Sequence, residues 1–161
     1  MKRVTSVFLF ALTLFFTTSV ALAQTKPDAG TIGLSASLQQ GQTNIKMPIW
    51  ASQNVVIAPV LGVNYQENNY TSINLGISPR FYQNWDEQFA TYIGAQGLLQ
   101  RTSPEVGPED TDFLLGGNVG GEYFLDSHFS VGVEGQLNYL FNDNGNNTLS
   151  TGAAIVGSVY F

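Results

Sequence analysis

The chain has 161 residues, with six Lys and Arg against twelve Asp and Glu and no cysteine. Charged residues make up 11%, well below the roughly 25% of an ordinary soluble domain, so something other than charge covers part of the surface. The acidic balance and the lack of any basic stripe exclude a nucleic-acid partner, and the absence of Cys excludes a disulfide scaffold.

The first element is a leader. Lys2 and Arg3 precede the apolar stretch VFLFALTLFF, Val7 to Phe16, which ends in the small-residue motif Ala21-Leu22-Ala23. This pattern predicts a secretory signal peptide over residues 1–23, cut before Gln24. Its apolar core is shorter than the roughly 20 residues of a spanning helix. No Cys follows the cleavage site, so a lipid anchor is not expected. Two of the six bases leave with the leader, and four then face twelve acids. What remains suffices for one domain: a short tether over 24–29 and a folded body over 30–161.

The body divides into eight strand-like runs at about 30–39, 45–52, 55–65, 72–83, 89–101, 113–125, 129–141 and 149–161. Most are longer than the 5 or 6 residues typical of soluble strands and match the roughly 9 to 11 of a tilted strand that crosses a bilayer. Short connections follow the second, fourth and sixth runs (Gln53-Asn54, 84–88 and 126–128). Polar segments join the others: QGQTN, QENNYT, TSPEVGPEDTD and NDNGNNT. Short turns on one side, longer loops on the other and an even strand count are expected of an outer-membrane barrel. Pro48, Pro59 and Pro79 fall inside predicted strands, where each removes a ladder hydrogen bond.

The seventh run, FSVGVEGQLNYLF, alternates. Phe129, Val131, Val133, Leu137, Tyr139 and Phe141 share one face, and Ser130, Gly132, Glu134, Gln136 and Asn138 the other. If the apolar face points outward, the outward positions nearest the short turns and the C-terminus are Phe81, Phe89, Tyr123, Phe129 and Phe161. Tyr65, Tyr139 and Phe141 mark the other end. Two aromatic bands are what lipid interfaces select, so Glu134 is expected to face inward.

GGEYFLDSHFSVGVEGQLNY, SPRFYQN and the terminal GSVYF resemble the small eight-stranded outer-membrane barrels, the porin-family group of the OmpA membrane domain and OmpX. The resemblance covers about residues 30–161. Phe161, Val159 and Ile155 are similar to the C-terminal assembly signal of these proteins, and Gly157 departs from it. It implies insertion by the outer-membrane barrel-assembly machinery.

Candidate chemistry is sparse. GGNVGGE, Gly116 to Glu122, lacks the Gly-Lys-Ser/Thr ending and the following helix of a phosphate loop. Glycines expected to face inward (Gly33, Gly62, Gly76, Gly94, Gly116, Gly120, Gly132 and Gly152) leave room inside a narrow barrel. His128, the one histidine, lies in a predicted periplasmic turn, away from any surface substrate. Glu122 and Glu134 have no evident substrate entrance for paired-carboxylate chemistry. Glu105, Glu109, Asp110 and Asp112 offer oxygen ligands at a density that suits a divalent cation, but without the order of a calcium loop, and they read as a solvated loop. No catalytic residue, cofactor or metal is therefore assigned.

The expected fold is all-β: an eight-stranded antiparallel up-and-down transmembrane β-barrel in the outer membrane of a Gram-negative-type bacterium. Its expected role is structural or surface-interacting, adhesion-like and without catalysis. Its expected partners are outer-membrane lipids, the assembly machinery and an unknown extracellular ligand held by the loops. The rival readings are a soluble periplasmic lipocalin-like carrier and a narrow diffusion pore. Inside, Lys46, Arg80, Glu122 and Glu134 sum to zero charge, as a closed polar core requires. Counting from strand ends pairs Arg80 with Glu122 and Lys46 with Glu134, backed by Gln96, Gln136, Asn118 and Tyr92.

Overall fold

The computed structural model describes residues 26–39, 42–66, 70–84, 88–104, 109–142 and 145–161. The predicted signal peptide lies outside them. Eight antiparallel strands form one closed sheet: β1 (Gly33–Gln39), β2 in two segments (Gln42–Lys46 and Ile49–Trp50), β3 (Val55–Gln66), β4 (Tyr70–Asn84), β5 (Phe89–Pro104), β6 (Asp110–Phe124), β7 (Phe129–Phe141) and β8 (Thr148–Tyr160). Each strand pairs with the next in sequence, and β1 also pairs with β8, which closes the cylinder. That closing seam joins the strands farthest apart in sequence through six pairs, from Gly33 with Tyr160 to Leu38 with Ile155.

The register fixes the geometry. From Ser158, steps between paired residues run through Ser35, Lys46, Val60, Gly76, Leu98, Leu114 and Leu140 to Thr148, ten residues from the start on the same strand. Eight strands with a stagger of ten tilt by roughly 40° and leave an interior just wide enough for side chains.

Alternation assigns the two faces. On every strand the outward positions are mostly apolar and exposed, among them Leu75 at 61% and Ile155 at 67%. The inward ones are polar or aromatic and buried, including Lys46, Arg80, Glu122 and Glu134. Phe81, Phe89, Tyr123, Phe129 and Phe161 are exposed at the end that carries the termini, and Tyr139 and Phe141 at the other. Tyr65 sits near the loop end of β3, but its side chain is outside the described residues. Phe113 joins the upper band, its ring 6.0 Å from that of Phe141. Tyr139 lies ten residues along β7 from Phe129, which at about 3.3 Å per residue and roughly 40° of tilt separates the bands by about 25 Å.

The prolines act differently. Pro48 lies in the break between the two segments of β2 and points inward, with its carbonyl accepting from Gly33 N at 2.8 Å. Pro79 interrupts the β4–β5 ladder, which resumes in unchanged register from Ile77–Gly97 to Arg80–Gly94. Pro59 keeps its ladder place opposite Ile77 and accepts from Met47 N at 2.9 Å. Strands also extend beyond the expected boundaries. QGQTN was expected as a loop, yet Leu38 pairs with Thr43 and Gln39 with Gln42, because the ladder continues after the apolar pattern has ended.

Inward glycines make the lumen fit. A Cβ at Gly62, Gly94 or Gly116 would overlap the amide of Asn44, Asn118 or Asn138, each the glycine's own cross-strand partner. Gly120 likewise faces the Tyr92 ring and Gly33 that of Tyr160. Gly76 is tightest, because its Cβ would enter the backbone carbonyl of Gly97. Gly76→Ala should therefore destabilise the barrel by about 1–3 kcal/mol. Gly157→Ala, which meets open space, should be near neutral, and unfolding titrations of the two variants check the contrast.

Candidate functional site

The lumen is layered. Nearest the termini is an aromatic floor formed by Trp50, Tyr82, Tyr92, Phe124 and Tyr160. Trp50, at 0% exposure, stacks 4.9 Å from Tyr82 and 6.2 Å from Phe124. The segment before β1 braces it from below. Gly30, at φ 95°, turns the chain so that its N–H donates to Trp50 O at 2.7 Å, and Trp50 N donates to Thr31 O at 2.9 Å. Lys26 Nζ lies 5.6 Å from the Trp50 ring and donates to Gln53 O at 2.7 Å.

Glu122 lies at the level of this floor. Its carboxylate accepts from the hydroxyls of Tyr82 at 2.6 Å and Tyr160 at 2.9 Å, and from Ser130. All three of these donors are hydroxyls. A fully buried carboxylate needs such donors to be tolerated, and three hydroxyls supply them here.

One layer higher sits Glu134, which takes four donors on two oxygens. Oε1 accepts from Lys46 Nζ at 2.9 Å and Gln136 Nε2 at 2.6 Å; Oε2 accepts from Arg80 Nη2 at 2.6 Å and Tyr92 Oη at 2.8 Å. The Arg80 guanidinium also lies 4.6 Å from the centre of the Tyr92 ring. The lone pairs of one carboxylate are thereby filled, and both interior cations share it.

Arg80 therefore pairs with Glu134, and the expected bond to Glu122 is not made. Stagger is the reason. Across the ladder Arg80 is level with Gly94, then Asn118, then Gln136, which is two residues from Glu134 and leaves Glu122 well below. Positions counted from strand ends ignore this offset, because the ends are themselves staggered.

Above the ions come amides. Gln96 Nε2 donates to Asn138 Oδ1 at 2.6 Å, Asn138 Nδ2 to Gln136 Oε1 at 3.3 Å, and Gln136 to Glu134, a relay that ends on the carboxylate. Asn118 Nδ2 reaches Ser78 Oγ at 3.4 Å.

The candidate metal ligands do not converge. Glu105 lies outside the described residues. Glu109 is exposed and bound to Arg101 and Ser103, and hydrogen bonds from Arg101 and then Ser103 hold its carboxyl below the usual range. Asp112 turns into the lumen opposite Gln100, and Asp110 begins β6. No group of three or more potential metal ligands occurs among the described residues. In the turn after β6, Asp126 accepts from the His128 backbone at 2.7 Å, while the His128 ring meets Ser127 Oγ at 2.9 Å. Asp126 thus holds the turn and does not orient the imidazole.

No protein-family model matches the chain, and no curated protein matches it. Solved structures do. The N-terminal β-barrel domain of Pseudomonas aeruginosa OprF superposes with a TM-score of 0.63 at 9% identity, over 81% of this chain and 96% of that one. Neisserial surface protein A gives a TM-score of 0.58 at 16% identity, over 81% and 94%. The likeness is one of fold: this chain is a closed, all-antiparallel eight-stranded barrel like those of small outer-membrane proteins.

The ionic layer makes an asymmetric expectation. Glu134→Gln should cost about 3–5 kcal/mol, because it orphans two buried cations. Glu122→Gln should cost about 1–2 kcal/mol, because the amide oxygen still accepts from the Ser130 and Tyr160 hydroxyls, while the Tyr82 hydroxyl turns to accept from the new amide N–H. Equilibrium unfolding of both variants in lipid vesicles would measure the difference, and a larger loss at Glu122 would contradict the assignment.

Proposed function

We propose that the chain is an integral outer-membrane protein of a Gram-negative-type bacterium, with a structural or surface-interaction, adhesion-like role and no catalysis. The observation that carries this reading is the reversal of polarity. The ion pairs lie at the centre of the lumen, while Leu75, Ile93, Val133 and Ile155 stand exposed on the outside. Such a surface is stable where the surrounding medium is hydrocarbon, and a closed sheet leaves no unpaired edge there. Aromatic bands about 25 Å apart match the thickness of the apolar zone of such barrels.

A lipocalin-like carrier requires an apolar cavity, whereas ions, amides and hydroxyls occupy the middle of this lumen and make much of the wall of the space above it. A diffusion pore requires a continuous path, which the Glu134 layer and the Trp50 floor obstruct. The surroundings consistent with this reading are outer-membrane lipids, reached after export by the predicted leader and insertion by the barrel-assembly machinery. The polar loops between β1–β2, β3–β4, β5–β6 and β7–β8 then face the exterior and carry any surface interaction.

Cell fractionation with protease shaving of intact cells tests the location. Recovery in the outer membrane and cleavage within residues 102–112 are expected, and recovery in the soluble periplasm would overturn the reading. Planar-bilayer recording should show no large steady conductance. Val133→Arg, outward and near mid-barrel, should cost about 2–4 kcal/mol in vesicles. Ser150→Arg, at a lumen position near the mouth, should cost less than about 1 kcal/mol.

A further inference from the structure

Above the ionic layer, on the side away from the chain termini, the lumen opens into a cavity of about 300 Å³. At ~30 Å³ per water it has room for about ten, and it falls at the small end of ligand pockets. Its polar wall is made by Asn44, Asn74, Gln96, Gln136, Asn138 and Ser150, with Leu98 and Leu140 among the apolar residues between them.

Two features of this wall select a ligand chemistry. The first is neutrality. Among the described residues of the lining Lys46 alone is charged, and its ammonium is bound to Glu134 at 2.9 Å. Glu134 in turn holds four donors, so this layer presents neither a free cation for an anion nor a free carboxylate for a cation. The second is an unmet demand for hydrogen bonds. Asn74, at 8% exposure, lines the cavity with its Oδ1 unpartnered, and so does Asn44. Across the lumen the Gln96–Asn138–Gln136 relay holds a second row of amides in fixed orientation. Buried acceptors without partners are costly, and a molecule that donates to them removes that cost.

We propose that this cavity is a binding site for a small neutral polyhydroxy molecule of about monosaccharide size. Each hydroxyl of such a ligand both donates and accepts, which matches amides that present both functions on opposing walls. Waters meet the same groups one at a time, whereas a polyol meets several from one body and gives up less freedom for each bond. That the mouth faces the cell exterior rests on the outer-membrane reading, but binding itself does not.

Side-chain amide NMR of the folded protein in detergent micelles tests the proposal, with D-glucose and glycerol as neutral probes and sodium phosphate as the charged control. Saturable shifts of the Asn74, Gln96 and Asn138 amides with glucose at millimolar concentration are expected, with none from phosphate. Ser150→Tyr fills the mouth at an exposed position and should weaken glucose binding at least tenfold, while the backbone spectrum stays that of the folded barrel. Absence of saturable shifts with either neutral probe would mean that the cavity holds water alone. An equal response to phosphate, or undiminished binding by Ser150→Tyr, would also overturn the proposal. Because the assay uses purified protein, its result is separable from that of cell fractionation.

Discussion

A sheet of eight strands that closes with a stagger of ten residues leaves inside it room for side chains and, above the ionic layer, one small cavity, and the rest of the molecule follows from that constraint. Every inward position has to be filled without overlap, so large groups lie across from glycines. Asn44 faces Gly62, Tyr92 faces Gly120 and Asn138 faces Gly116. Because the outward surface is apolar, the polar groups have collected inside, where each needs a partner. Glu134 is the most efficient answer in the structure: one carboxylate neutralises two cations and also anchors a tyrosine and an amide.

The two interior glutamates show how environment divides roles between identical side chains. Glu134 lies among cations, so its charge is compensated locally. Glu122 lies among hydroxyls at the aromatic floor, where hydrogen bonding takes the place of a counter-ion in direct contact. Arg80 is drawn to the upper carboxylate because the ladder brings it level with Gln136. The neutral sum of the four charges holds for the layers around Glu134 and Glu122, below Asp112 near the mouth, and it is reached through one triad and one separate acid, not through two pairs.

The alternation of period two was legible in the sequence because all strands repeat it, and it sets inside against outside without reference to any partner strand. That was enough to place Lys46, Arg80, Glu122 and Glu134 on one face, and to mark Phe129 and Phe161 as outward. Relative height was not legible, since it depends on stagger, which appears only when the strands pair. Trp50 illustrates a second loss. It shares parity with Lys46 and belongs inside, but Pro48 breaks β2 between them and hides the continuity. Strand ends such as Leu38–Thr43 escaped for a related reason: the ladder outlasts the hydrophobic pattern once side chains leave the apolar belt.

The seam between β1 and β8 carries a consequence for how the cylinder comes together. All other pairings are hairpins between neighbours in the chain, which close short loops at little entropic cost. Ser35 and Ser158, whose hydroxyls meet at 2.7 Å, are 123 residues apart; their ladder has six pairs and its neighbours β1–β2 and β2–β3 have five and six, where β6–β7 and β7–β8 have twelve and β5–β6 fourteen. The sheet is therefore thinnest over β1 and β2, where the ladder on each side carries only five or six pairs. The seam is the one pairing that has to bridge nearly the whole folded body, and the thin stretch of sheet beside it is where opening breaks the fewest ladder bonds.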